Sequence, residues 1–531
     1  MRKWLGKLPR WSWKKYLAFF VVCGFMCVIC LIGLVVLLWQ APPVQAWFIS
    51  TMLHGEAHKP LPEPASPSLG PEGLALVSTN VSALKSPADF FRPTNVWSIH
   101  LRLTTNDWTR LGPKRVPAIP GFIQADGTPI LRNTNASRAG IAGVLGIDLP
   151  WSQGEIMLGD LRFTNVGVRF KGNGTFLSSM RTYKRPFKIE LNKHATNQHF
   201  LGRTIINLNN LSADFSYLAD TLGYEFYRNA GVPAPRTALA RCFLTLEGRF
   251  ENRVLGLYVL VENPDAQWAR DCFGADDVAL FKPVTYELFK DLGDQWAVYD
   301  GIYDPKTRLT ERQQRRVIEL ARLNTSAPDD EFAKQLPDFL ELEETARFFA
   351  CEVLLANYDS ILSNGQNFLL YLDPRSHRFG FIPWDLDHSW GEFPFIGSAA
   401  DREQASIWQP WVGQNRFLER LFAVEKFRAL YRAELERLLT EIFVPERLNQ
   451  RMDELSAIVQ PMVREESRSR LEKHQIAVSD RWTEGPRDGN PMDENRPVFQ
   501  LKRFIQNRAA AVREQLDGRS SGVILRRIPF K

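Results

Sequence analysis

The chain has 531 residues, 44% of them hydrophobic and 24% charged, which is long enough for a large core and two or more lobes. Its formal net charge of +6 matches the six basic residues among residues 1–15 (Arg2, Lys3, Lys7, Arg10, Lys14 and Lys15, with no acid), so the remainder is close to neutral and gives no support to a nucleic-acid-binding domain. Of six cysteines, three lie within residues 16–38, and the three in the body, Cys242, Cys272 and Cys351, form no CxxC, which gives neither a disulfide framework nor a zinc signature and leaves one bridge open, Cys242–Cys272.

Residues 16–38 contain no charge in 23 positions, enough helix to span a hydrocarbon core of roughly 30 Å. Trp11, Trp13 and Trp39 flank this run as interface anchors would. The sequence therefore predicts a cytoplasmic tail over 1–15 and a single-pass membrane helix over 16–38. The body is expected outside the cell membrane, because the basic flank stays inside. Residues 39–92 read as a juxtamembrane segment and a proline-rich stalk.

Strand patterns follow at 96–103, 155–158, 161–163 and 166–170, with a short helix near 106–111 and a Gly/Pro/Asn-rich insertion over 113–150. Lys171-Gly172-Asn173-Gly174-Thr175-Phe176 is a glycine-rich turn able to bring backbone N–H groups near phosphates, and equally a plain hairpin turn. Lys188 lies between Phe187 and Ile189 on the next strand, 185–191, with Lys184 and Arg185 as competitors. After a strand at 204–211, an apolar-periodic helix over 215–230 carries two acids, Asp220 and Glu225, either of which could pair with Lys188. Strands at 237–246 and 253–261 end in Glu262-Asn263-Pro264-Asp265; 279–283, carrying Lys282, is a further strand and 300–307 a loop.

Helices are expected over 310–323, 342–355, 417–443, 445–463 and 498–516, with a polar loop over 473–497. The helix over 342–355 delivers Asn357 and Asp359 at its C-terminal end. Asn364 and Asn367 follow, then the apolar runs Phe368–Leu372 and Phe379–Pro383, and then Asp385 and Asp387. Paired carboxylates after an apolar strand suit a hard-cation site. Strands first and helices later indicate an α+β fold with a strand-rich lobe over 93–265 and a mainly helical lobe over 266–531.

These residues together resemble the CotH-type (spore-coat protein H) kinase family. VRFKGNGTF, KRPFKIEL, INLNN, YRNAGVPAPRT, GLYVLVEN, ANYDS with NFLLYL, and FIPWDLD occur in the family's order. The resemblance implies an atypical two-lobed protein-kinase-like fold and transfer of the ATP γ-phosphate to Ser/Thr hydroxyls of an envelope or surface protein, with Mg²⁺ or Mn²⁺. It assigns Lys188, Gly172, Gly174 and Glu262 to the nucleotide, Asp359 to catalysis, and Asp385 and Asn367 to metal, with Asp387 in reserve. The kinase spacing of Asp plus five lands on Asn364 rather than Asn367, and the helix acid stays open between Asp220 and Glu225. Two other readings use the same residues: a non-catalytic surface-binding module, and another nucleotide-dependent transferase.

Overall fold

In the first half of the chain, alternating strands bury one face each and close on themselves. The computed structural model describes residues 71–112, 149–172, 174–481 and 498–527. Strands β1 (Val77–Ser78), β2 (Val96–Thr104), β3 (Ser152–Leu158), β4 (Leu161–Phe170), β5 (Phe187–Glu190), β6 (Ile205–Asn209), β7 (Thr237–Glu247) and β8 (Phe250–Val261) form one mixed sheet in the order β1-β2-β3-β4-β5-β6-β8-β7. β7 returns to pair with β2 in parallel, Val96 opposite Leu239 through Thr104 opposite Glu247, so β2 to β8 make a closed barrel. Closure removes the exposed strand edges. The barrel has its own core, in which Ile99, Leu101, Val168, Phe170, Ile189 and Leu244 are buried. The segments 161–163 and 166–170, expected as separate strands, are the single strand β4.

Helices of eight residues or more are numbered in chain order: α1 (Ala219–Ala230), α2 (Ala266–Phe273), α3 (Glu311–Ser326), α4 (Leu342–Leu354), α5 (Arg416–Ala423), α6 (Glu425–Glu441), α7 (Pro445–Glu466), α8 (Arg468–Ala477) and α9 (Leu501–Leu516). They share a second core with a small antiparallel sheet ordered β11 (Phe379–Pro383), β10 (Phe368–Leu372), β9 (Ala279–Phe281). The helix expected over 417–443 is broken at Val424, whose extended backbone separates α5 from α6. The expected loop over 300–307 begins inside a short helix, Ala297–Tyr303, and the one over 473–497 begins inside α8. Cys242 is buried in the barrel, Cys272 is exposed on α2, and both are free thiols, so the one bridge left open does not form.

Two carboxylates at the C-terminal end of α7 join the helical part to the barrel. Glu465 takes two hydrogen bonds from Arg241, at 2.8 and 2.6 Å. Glu466 accepts from the Leu257 N–H and the Tyr217 hydroxyl, each at 2.8 Å, and pairs with Lys184 at 2.5 Å. Gly256 (φ +108°) makes room, since a Cβ there would stand 2.4 Å from Glu466 Oε1. Lys184 is therefore tied to α7, while Arg185 is buried and donates to the carbonyls of Met180 and Thr182. Both competitors of Lys188 are engaged elsewhere.

Among the described residues no helix is long and apolar enough to cross a membrane. The expected tail and membrane helix, the stalk as far as residue 70, and residues 113–148 of the insertion lie outside those residues.

Candidate active site

Strand register places three polar side chains in a row on the outside of the barrel. Arg169 on β4 is opposite Lys188 on β5, which is opposite Asn207 on β6. Their neighbours Phe170, Phe187 and Leu208 point into the barrel core, so period-two alternation sends the polar set outward. It faces a cleft of about 800 Å³, the size range of small-molecule sites. Gly172 and Gly174 line the cleft, as do Lys171, Lys282 and Lys306. Gly172 has φ +70°, and a Cβ there would stand 2.2 Å from Thr175 Oγ1; Gly174 opens a short helix, Gly174–Ser179, in place of a plain hairpin turn.

The opposite wall carries the acids. Asp359 follows α4 and takes hydrogen bonds from three amides: Asn364 Nδ2 at 2.6 Å, Gln366 Nε2 at 3.3 Å and Asn367 Nδ2 at 3.1 Å. Burial lifts its carboxyl to about 6, with Asp385 pushing the same way and His388 and the amides opposing. Asn364 gives its carbonyl oxygen to Arg527, whereas Asn367 lines the cleft. Asn367 (φ +58°) and Asp385 (φ +59°) both hold left-handed backbone, which Asn and Asp tolerate better than most residues and which concentrates at working sites.

Past β11, Trp384 N–H donates to the Asn367 carbonyl, Asp385 N–H to the Tyr224 hydroxyl and Leu386 N–H to Asp220 Oδ1. α1 approaches this turn closely enough that a Cβ on Gly223 would meet Leu386 at 2.9 Å. Asp220 is thus the helix acid at the site. Burial and then Asp385 push its carboxyl up to about 6, and burial, Asp385 and Asp220 raise Asp387 as well, against His388. Asn209 bridges cation to acid: its Oδ1 accepts from Lys171 Nζ and its Nδ2 donates to Asp220 Oδ2 at 3.0 Å.

The cations differ in their surroundings. Lys171 feels Asp385, Asp220 and Asp387, yet burial still lowers its ammonium. Lys188 is brought to about 7 by burial and then by Arg169, Lys282, Lys306 and Lys171, all of its own sign. Lys282 reaches about 8, burial and the neighbouring lysines outweighing Asp385. Cations crowded this way gain from a polyanion between them. Asp385, Asp387 and Asn367 offer hard oxygen donors, although among the described residues no three carboxylate, imidazole or thiol side chains gather around one point. Mg²⁺ takes one or two carboxylates together with water and substrate phosphates, so this set fits it.

Residues 168–512 match the family described as CotH kinase protein. The chain belongs to the CotH kinase protein family. It is also 24% identical over 268 residues to the inner spore coat protein H of Bacillus subtilis (strain 168), covering 50% of this chain and 70% of that relative. Every cleft residue named above lies within the matched CotH region.

Two expected site residues are not brought to the cleft. Glu225 pairs with Arg451 on α7 at 3.1 Å, because it lies on a different side of α1 from Asp220. The Glu262 side chain is 1% exposed and held by Arg203 and Arg236; only its neighbours Asn263, Pro264 and Asp265 line the cleft. Burial would raise its carboxyl, but the two guanidiniums hold it below the usual range. Glu262→Ala is therefore expected to destabilise the fold by about 3 kcal/mol, since Arg236 loses its carboxylate and buried Arg203 keeps only the exposed Asp271, and to leave nucleotide affinity unchanged. Denaturant unfolding and nucleotide titration on the same variant check this.

Lys171, Lys282, Lys306, Arg169 and His388 escaped the sequence reading as site residues. The signal for Arg169 and Lys171 was present: they occupy the positions either side of buried Phe170, at and just past the end of β4. His388 lines the cleft beside the acids with Glu392 at its Nδ1; burial lowers its imidazole, but Glu392 and Asp387 more than offset this and raise it to about 10.

Proposed function

We propose that this chain is a protein kinase that transfers the ATP γ-phosphate to a Ser or Thr hydroxyl, with the cleft between the barrel and the helical part as its active site. The observation that carries the reading is the three-amide cradle of Asp359 facing a wall of lysines and Arg169 across the same cleft. Phosphoryl transfer needs charge neutralisation and in-line positioning more than covalent help. Lys171, Lys188 and Arg169 hold the phosphates, with the N–H groups around Gly172 and Gly174 beneath them. Asp359 orients the acceptor hydroxyl and takes its proton. Asp385 and Asn367 would hold Mg²⁺ or Mn²⁺, Asp387 standing in reserve, and the ion supplies neutralisation of charge on the transferring phosphoryl group.

The two lobes of a kinase-like fold correspond in this reading to the barrel and the helical part. Residues 16–38 would carry both outside the membrane, so the acceptor would be an envelope or surface protein. The test uses the full chain, purified in detergent, with Mg²⁺ or Mn²⁺ and ATP labelled at either the γ- or the α-phosphate. Label from the γ-position is expected in the chain itself or in a Ser-rich acceptor. Transfer of the α-label would make the chain a nucleotidyl transferase, and no nucleotide-induced thermal shift at millimolar ATP would make it a binding module, since ligand at a hundredfold its Kd adds about 2.7 kcal/mol.

A further inference from the structure

After α9 the chain does not leave the molecule. Residues 521–527 run back across the helical part, held by main-chain hydrogen bonds. Ser406 N–H donates to the Val523 carbonyl at 2.9 Å, Val523 N–H to Gln404 at 2.8 Å and Gly397 N–H to Arg526 at 3.0 Å. Leu525 is buried in the helical core, and Gly522 (φ +70°) allows the turn: a Cβ there would meet Gln515 Oε1 at 2.3 Å and the Ser406 Cα at 2.6 Å. This segment lies beyond the family match, which stops at 512.

Its end point is the loop that carries Asp359. Arg527 Nη2 donates to the Ser363 carbonyl at 2.5 Å and Nη1 to Asn364 Oδ1 at 3.2 Å, with the guanidinium 5.4 Å from the Tyr286 ring. The residue before Tyr286 ties the same loop, Thr285 N–H donating to the Gly365 carbonyl at 2.8 Å. A guanidinium only donates, so the Asn364 oxygen must face Arg527. The Asn364 nitrogen is then forced toward Asp359, where it makes the shortest of the three amide bonds, 2.6 Å. Without Arg527 the Asn364 oxygen keeps only Ser363 Oγ, at 3.2 Å, as a side-chain donor, and the loop that presents the amide to Asp359 loses its outer tie.

We propose that the segment 521–527 is a strap that positions the catalytic loop, with Arg527 a positioning residue that acts on Asp359 through Asn364. The inference rests on the reading of Asp359 as the group that handles the acceptor hydroxyl. In the full chain, Arg527→Ala is expected to lower kcat about tenfold or more while KM for ATP stays within twofold, because orientation at the acceptor is lost and the phosphate wall is untouched. Arg527→Lys restores part of the rate. Asn364→Ala lowers kcat by a similar factor, and the double variant is no slower than Asn364→Ala alone. Hydrogen exchange of amides 358–367 is faster in Arg527→Ala than in the parent chain, a readout that needs no activity.

Wild-type kcat together with wild-type exchange in Arg527→Ala overturns the strap, and so does a double variant whose losses multiply. Should Arg527→Ala melt below the assay temperature, the Arg527→Lys and Asn364→Ala cycle decides instead. If the parent chain transfers no phosphate, the kinase reading has failed, and exchange over 358–367 alone decides the strap: unchanged exchange overturns it.

Discussion

Replacing Asp359 with asparagine is expected to reduce phosphoryl transfer about 10³-fold, equivalent to about 4 kcal/mol of transition-state stabilisation, while the protein stays folded and still binds ATP. Three amide donors converge on this carboxylate, so both oxygens are held and the side chain has one orientation. Burial raises its carboxyl to about 6, so the charged form costs more here than in water although the group is still ionised at neutral pH. A neutral isostere therefore removes a charge that burial penalises, and its NH2 group conflicts least in place of Oδ2, where it meets one amide donor, Asn367. In the proposed reading the nucleotide is held from the opposite wall, by Lys171, Lys188 and Arg169, none of which bonds to Asp359. Rates of γ-phosphate transfer and the ATP-induced thermal shift, measured on the same preparation, separate the two effects. Activity retained within tenfold would take the base role from Asp359 and pass it to Asp387.

The acids of this site were legible because each sits at the end of an apolar run, where chain direction changes and side chains reach solvent. Asp359 ends α4 and its connecting turn, and Asp385 and Asp387 follow β11; Lys188 stands out as the charged residue between two apolar ones on a strand. Local pattern stops being informative where two candidates share one element. Asp220 and Glu225 are five positions apart, about 140° around the helix, and both have apolar neighbours. Only the packing of Gly223 against Leu386 decides which of them reaches the turn that carries Asp385. Closure of the barrel depends on β2 pairing with β7 across more than a hundred residues, in parallel, and no turn motif signals such a pairing. Arg527 is 163 positions from Asn364 and sits in a tail without periodicity, so its role exists only in three dimensions. Glu262 failed for the opposite reason: its position in a family segment was informative, but its two guanidinium partners come from residues 203 and 236 and fill its coordination.

Beneath the same loop lies a carboxyl whose protonation can be counted. Glu352 on α4 is fully buried; its Oε1 accepts from the Tyr227 hydroxyl at 2.7 Å and from Asn357 Nδ2 at 3.4 Å. Ser360 Oγ stands 2.6 Å from Glu352 Oε2 and 2.5 Å from the Asn357 carbonyl. The serine has one proton for two acceptors, so both contacts are satisfied at once when Glu352 carries a proton and donates to Ser360 Oγ. Burial pushes this carboxyl from 4.5 up to about 7, in agreement with the count. The folded state then binds a proton that the unfolded chain has lost between about pH 4.5 and 7. Its stabilising contribution is complete below pH 4.5 and is lost as pH rises through about 7, a fall of up to about 3 kcal/mol. Asp220 and Asp359, also raised, add slopes of the same sign, so the informative quantity is the difference between variants. Glu352→Gln supplies an N–H where the acid proton was and is expected to match the parent's stability at pH 5, exceed it at pH 7.5 and have a flatter profile. Glu352→Ala is expected to lose about 4 kcal/mol at pH 5, from a cavity and the orphaned Tyr227 hydroxyl and Asn357 amide. Denaturant unfolding of the three proteins at both pH values checks this; a glutamine variant with the parent's full pH slope would show that Glu352 is ionised in the folded protein and that the loop beneath Asp359 is held by a charge.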